Sequence, residues 1–532
     1  MLYASVRRAG ECRAYRPWVS GWFIDEQSDR QLNRHRAISS SCSFGNWRGK
    51  VSSHFTGIRI SRRNALVALT TVAAGSVLVA CSQQSAPSSN QGKAAPTSAS
   101  SSSQSVVLKP TPTEKPGIVG LPTPKSGQTV IHYWHNFGVG VAADVHTKQI
   151  KAFLDANPKY AVDVQYVPTT AGTQLSDKLI AAISGGDPPD AARFDRFIVT
   201  SWAARGFLTE VTDKAKRDGV TEDKFIKEGW LEATWKGKVY AVPFDTDLRG
   251  LYYNKKEMEA AGLDVNKPPT TTEELDALAD KLTKKDGAKY TQMGFVPWAQ
   301  QGSLYTYGWI FGGEFYDRDK DVITLDHPQI VKALEWMVSY AKKYNVDTID
   351  QYAQAFGNNE QNPFVSGLLS MVSDGDWEVS TFNKYLKPEM KDQYDMVYYP
   401  KAPGGPDRVT WGGGWSTIIP KGSKEADGGW AFAKYLGTDA AAMYAIETTH
   451  IPVYLPAYDD LEKNKDKFDP RWVKFWPLKS VARFRPNLPV GQELWNAQTQ
   501  AADLARHGKE EPAAVLTRLN KQVNDAYAKY KG

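Results

Sequence analysis

Cysteine is almost missing from this chain. Its 532 residues hold three, Cys12, Cys42 and Cys81, and none follows Cys81. Disulfide staples and cysteine-bound zinc are thereby excluded from everything downstream. Long apolar runs are scarce as well: Ala65 to Ala80 is 16 residues diluted by Ala, Gly and Thr, whereas a bilayer-crossing helix needs roughly 20 strongly apolar ones. A basic excess is missing where it would count. The formal net charge is +6, but residues 1–81 carry 12 Lys and Arg against 4 Asp and Glu, leaving 53 against 55 in the remainder. A nucleic-acid partner is not implied, because phosphate binding needs clustered Lys and Arg. There is no HExxH, GxSxG or GxxxxGK[ST] signature, and WGGGWS at 411–416 lacks the lysine of a phosphate cradle. His132 and His135 stand near one strand end without a third ligand, so neither a metal nor a cofactor is expected.

What is present first is an export signal. Arg59, Arg62 and Arg63 precede the apolar run, and small residues close it. Leu78-Val79-Ala80-Cys81 resembles a bacterial lipobox, which makes Cys81 the expected lipidation site. Ser61-Arg62-Arg63 also resembles a twin-arginine signal. Residues 1–58, Arg-rich and without an apolar period, are expected to be a mis-started upstream segment without a fold, with translation beginning near Val51 and the signal peptide at 59–81. Residues 82–126 are rich in Ser, Ala, Gln and Pro and are expected to form a disordered tether. Two acyl chains on Cys81 would anchor it firmly to the cell membrane, the only membrane contact expected.

From Gln128 strands alternate with helices: TVIHYWHNF, then a helix closed by Asn157-Pro158, then YAVDVQYVP, then a helix that stops at Gly185-Gly186. That alternation predicts an α/β fold with right-handed crossovers and a mostly parallel sheet. Ligands of such sheets sit at the carboxyl ends of the strands. The loops there combine Trp and Tyr with Asp, Asn and Arg, as in YWHN, FDTDLRG, SDGDWE, TWGGGWS and ARFRPNLP. A sugar packs its C–H faces on aromatic rings and exchanges hydrogen bonds through its hydroxyls, so a carbohydrate site follows. Trp377 and Trp415 lie among Gly, Asp and Ser, the composition of exposed loops. A secreted glycoside hydrolase is the rival reading, using Asp245 with Asp247 or Asp374 with Asp376. Such aspartates are more simply hydroxyl acceptors or turn formers, and no catalytic residue is expected. A structural adhesin is a third class.

Val242-Pro243, Tyr253-Asn254-Lys255, Gly262-Leu263, Pro269, Thr270, Glu273 and Glu274, in that order, resemble the middle of the family 1 extracellular solute-binding proteins of ABC importers; the likeness runs from about Gln128 to Tyr530. The resemblance implies a two-lobed periplasmic-binding-protein fold, type II-like, that closes over a solute by a hinge. The lobes are expected at 127–244 with 416–456, and at 250–412 with 458–532, with Gly412-Gly413-Gly414 at a crossing. It implies ligand contacts at Asp195, in Phe194-Asp195-Arg196-Phe197, and at Asp245, Asp376, Trp377 and Trp495. Ala192 stands where relatives that bind maltodextrin carry a tryptophan, so Trp134 or Trp309 could supply the missing platform. Trp415 joins these for stacking, and His135, Asn136 and Arg249 for hydroxyl binding. The expected protein is a monomeric, extracytoplasmic receptor for a carbohydrate, with two permease subunits and their ATPases as partners. A non-sugar solute such as a glycerol phosphate is the alternative ligand.

Overall fold

The computed structural model describes residues 117–168 and 174–531. The expectations for the upstream segment, the signal and Cys81 lie outside these residues. Ten strands organise the chain: β1 (Thr129–His135), β2 (Tyr160–Tyr166), β3 (Ala191–Asp195), β4 (Ala241–Pro243), β5 (Asp247–Asn254), β6 (Met371–Gly375), β7 (Tyr394–Val397), β8 (Thr410–Gly413), β9 (Trp415–Ile418) and β10 (Ala482–Phe484). They form two sheets. The first runs β2-β1-β3-β9-β4, and the second β6-β5-β8-β10 with β7 beside β5.

In the first sheet β1 is parallel to β2 and β3, joined by helices as the alternation predicts. Helix Val141–Ala156 buries Ala143, His146, Ile150 and Phe153, the single face expected of a 3.6-residue period. The sheet is mixed rather than mostly parallel, because β9 lies antiparallel to both β3 and β4. The reason is topological: β9 enters directly from the other sheet, with no crossover helix to turn it round. Packing also starts earlier than expected. Ile118, within the segment assigned to the tether, is buried in a cluster with Ile131, Tyr133 and Phe153.

In the second sheet all eight residues of β5 are buried. One edge is covered by β6, and the other by β7 and β8 in turn. Local chemistry sets the helix starts that follow. Asn254 accepts the Glu257 N–H at 3.1 Å and caps helix Lys255–Ala260, while Thr271 and Glu274 form a reciprocal capping box on helix Thr272–Leu282.

Three short crossings join the sheets: residues 244–246 between β4 and β5, Gly414 between β8 and β9, and the stretch around Ile451, which exchanges two backbone hydrogen bonds with Thr246. Gly414 has φ +144°, and a Cβ there would meet the Asp245 carbonyl at 2.5 Å. Arg196 fastens the crossings from the first lobe. Its Nη2 donates to the Gly413 carbonyl at 2.6 Å, its Nη1 to the Asp245 carbonyl, and its Nε to Glu232 at 3.0 Å. The Thr246 hydroxyl donates to the Gly413 carbonyl at 2.9 Å.

Candidate binding cleft

A cavity of about 990 Å³ opens between the sheets, above the crossings. The first lobe supplies Asn136 and Phe137 just past β1, Arg193 and Asp195 at the end of β3, and Trp415 at the start of β9. Arg193 and Asp195 share a face because strand side chains alternate. The second lobe supplies Asp247 and Arg249 from β5, Trp377 just past β6 and Trp411 from β8. Helix Gly491–Arg506 closes one side with Gln492, Trp495, Thr499, Ala502 and Arg506, a single stripe at helical spacing.

Rings and guanidinium groups are layered along these walls. The Arg193 guanidinium carbon lies 3.5 Å from the centre of the Trp415 ring and 4.2 Å from that of Phe137. That of Arg249 lies 4.0 Å from Trp411, and that of Arg485 lies 3.7 Å from Phe197. Trp495 stands 6.0 Å from Tyr305 and 6.1 Å from Trp411, and Trp377 stacks on His450 at 5.6 Å. Burial lowers the His450 pKa to about 4, which leaves that ring neutral. Asp195 accepts from Arg485 at 2.8 Å, and Asp247 is paired with Arg249.

Of the residues expected at the site, Asn136, Asp195, Arg249, Trp377, Trp415 and Trp495 line the cavity. Five others do not. Trp134 packs beside the cluster around Leu179, with the Lys178 ammonium 4.9 Å from its ring. His135 is fully buried and accepts the Phe137 N–H at 3.2 Å; burial takes its pKa down to about 3. Trp309 lies in a short helix, Leu304–Ile310, whose seven residues are all buried, and it packs on Tyr305 and Phe315. Asp245 is turned into the crossings, where it accepts the Trp415 N–H at 2.7 Å. Asp376 is fully buried behind the wall, and its backbone carbonyl accepts from the Thr449 hydroxyl at 2.9 Å.

Burial pushes Asp245 and Asp374 up to about 7, and Asp376 well above the ordinary carboxylate value. Of the four aspartates that could have formed an acid–base pair, only Asp247 lines the cavity. Sequence reasoning passed over Arg193, Trp411 and Arg485. Trp411 shares the WGGGW stretch with Trp415, Arg485 sits in the ARFRPNLP loop, and Arg193 stands two residues before Asp195, so each was one strand alternation or one short motif away.

Two sheets, three crossings and a polar, aromatic cleft between them define a two-lobed receptor of the hinge-closing class. The description "bacterial extracellular solute-binding protein" matches residues 142–443, more than half of the chain, and the chain belongs to that family. The maltotriose-binding protein of Pyrococcus abyssi is 24% identical over 392 residues, 71% of this chain and 77% of its own length. A maltooligosaccharide ABC transporter solute-binding lipoprotein of Streptococcus pneumoniae is 26% identical over 334 residues, 60% of this chain and 72% of its own. Among solved structures, CpMnBP1 with mannobiose bound has a TM-score of 0.67 at 26% identity, covering 74% of this chain and 100% of that one.

Proposed function

We propose that this protein is the receptor of an ABC importer, held outside the cytoplasm by a lipidated Cys81, which closes on an oligosaccharide and delivers it to the permease subunits and their ATPases. It acts as a monomer and without catalysis. The observation that carries the reading is the cleft itself: Trp377, Trp411, Trp415 and Trp495 face one cavity beside Asp, Asn, Gln and Arg side chains from both lobes. Rings serve sugar faces and the polar groups serve hydroxyls. The names of the relatives, which specify maltotriose, maltooligosaccharide and mannobiose, support the ligand class, and that of the S. pneumoniae relative supports the lipid anchor. The lobes comprise residues 127–244 with 416–456 and residues 250–412 with 458–532.

Asn136, Asp195, Arg249, Trp377, Trp415 and Trp495 are assigned to the ligand. Trp134, His135, Asp245, Trp309 and Asp376 support them from the core and the crossings. Because contacts come from both lobes, the closed state binds better than the open one, which is the condition for ligand-driven closure.

A thermal-shift screen of residues 117–532 with mannobiose, mannotriose, maltotriose and glycerol 3-phosphate tests this, the sugars being checked afterwards for breakdown. A ligand at about 100 times its Kd should add roughly 2.7 kcal/mol of stability. Cleaved sugar would move the protein to the hydrolases, and a shift with glycerol 3-phosphate alone would change the ligand class.

A further inference from the structure

The charged side chains that line the cavity are four arginines, Arg193, Arg249, Arg485 and Arg506, and three aspartates, Asp195, Asp247 and Asp503. Three of the arginines are matched. Arg249 pairs with Asp247, Arg485 with Asp195 at 2.8 Å, and Arg506 with Asp503 at 3.3 Å. Arg193 is left over. It is more than nine-tenths buried, yet among the described residues it forms no ion pair. Its Nη1 donates to the neutral amide oxygen of Asn136 at 2.5 Å, and its Nε is buried without an acceptor. Tyr444, which also lines the cavity, has its hydroxyl beside the Arg193 guanidinium, a neutral neighbour that leaves the cation's charge unmatched.

Taking a guanidinium out of water is costly unless an anion or a full set of acceptors replaces the water. The rings of Trp415 and Phe137 supply only part of that replacement. Asp245 senses Arg193 from behind the wall but stands beyond ion-pair distance, and its Oδ1 accepts from Trp415. A cation held in a ligand cleft with donors unmet is complementary to a negative group on the ligand.

We propose, building on the sugar-receptor reading, that the solute is an acidic oligosaccharide and that Arg193 receives the carboxylate of a uronate unit. A planar guanidinium whose neighbours are neutral groups and rings matches a carboxylate. One unmatched cation, with no lysine in the cavity lining, fits a single negative charge better than a phosphate dianion.

The test is titration calorimetry with galacturonate and mannuronate oligosaccharides of two and three units, each against the neutral galactose or mannose oligosaccharide of the same length. At least one acidic member should bind about tenfold to a hundredfold more tightly than its neutral counterpart, the range of a charge-assisted contact. R193Q should erase that ratio of acidic to neutral affinity, and R193K should restore part of it. Equal or better binding of neutral members overturns the acidic-ligand proposal and leaves the sugar receptor standing. Acid preference that persists unchanged in a folded R193Q overturns the role of Arg193. Should R193Q fail to fold, the wild-type ratio and R193K decide. Silence with every sugar, acidic or neutral, overturns both the proposal and the reading beneath it.

Discussion

Arg196 and Arg193 lie one short step apart in the chain and live under opposite rules. Arg196 is fully buried at the crossings, and its donors reach Glu232, the Asp245 and Gly413 carbonyls and the Thr246 hydroxyl. Arg193 sits in the cavity wall, layered on Trp415 and Phe137, with one amide oxygen as its hydrogen-bond acceptor and its Nε unmet. The carboxylates divide the other way. Asp195 and Asp247 in the wall are matched by arginines, while Asp376 behind it has neither side-chain oxygen bonded among the described residues. The donors of Arg196 tie the crossings together, whereas the charge of Arg193 in the wall is left without an anionic partner among the described residues.

The sharpest way to break this contrast is to truncate both arginines. R196M strands Glu232 and two carbonyls in the interior, and should cost about 3–5 kcal/mol of folding stability, the range for half of a buried pair. R193Q should cost far less, since it removes no ion pair. Denaturant unfolding of the two variants gives the comparison, and equal losses would abolish the distinction between hinge and wall.

The next effect belongs to Asp245, in the first crossing. Its folded carboxyl holds a proton up to about pH 7, against an ordinary value of 3.8. The stability gained by holding that proton is complete below about pH 4 and is lost as the pH rises towards 7. Between those limits wild type should therefore lose stability relative to D245N, by up to about 1.4 kcal/mol per pH unit. Parallel pH profiles for the two proteins would show that Asp245 is ionised in the folded chain.

In the wall, Trp495→Ala should weaken mannobiose or maltotriose binding by about 1 kcal/mol, the scale of one aromatic face. Calorimetry reads this directly, and unchanged affinity would remove Trp495 from the ligand contacts.

Much of this was legible in the sequence, for local reasons. Asn254 and the Thr271–Glu274 pair announce helix starts because capping acts within four residues. The family resemblance put Gly412-Gly413-Gly414 at a crossing, and the positive φ of Gly414 shows why glycine suits that place. The site was only half legible, since which side chains face the cavity depends on distant pairings. Trp415 reaches Arg193 because β9 runs back along β3, with Trp415 opposite Asp195 and Thr417 opposite Arg193. Nothing near residue 193 encodes that register. Trp309 was misleading for another reason: it was put forward to replace the ring missing at Ala192, but all seven residues of its helix are buried.

The smallest expected effect lies at the rim, where the lobes touch away from both hinge and wall. Lys384, on helix Glu378–Tyr385 of the second lobe, donates to Asp144 of the first at 3.1 Å, and Asn359 donates to the Val139 carbonyl at 3.1 Å. The Lys384–Asp144 pair is exposed to water on both partners, 42% and 67%, so solvent and salt screen it. Lys384→Ala should change folding stability by under about 1 kcal/mol. It should lower sugar affinity by no more than about fivefold, because a contact made only on closure can shift the open–closed balance by no more than its own energy. Calorimetry at low and high salt checks both limits, the difference fading as salt rises. A larger, salt-resistant loss would mean that closure is held at the rim rather than by the solute bridging the two walls, and the division of labour between hinge and wall would have to include a third region.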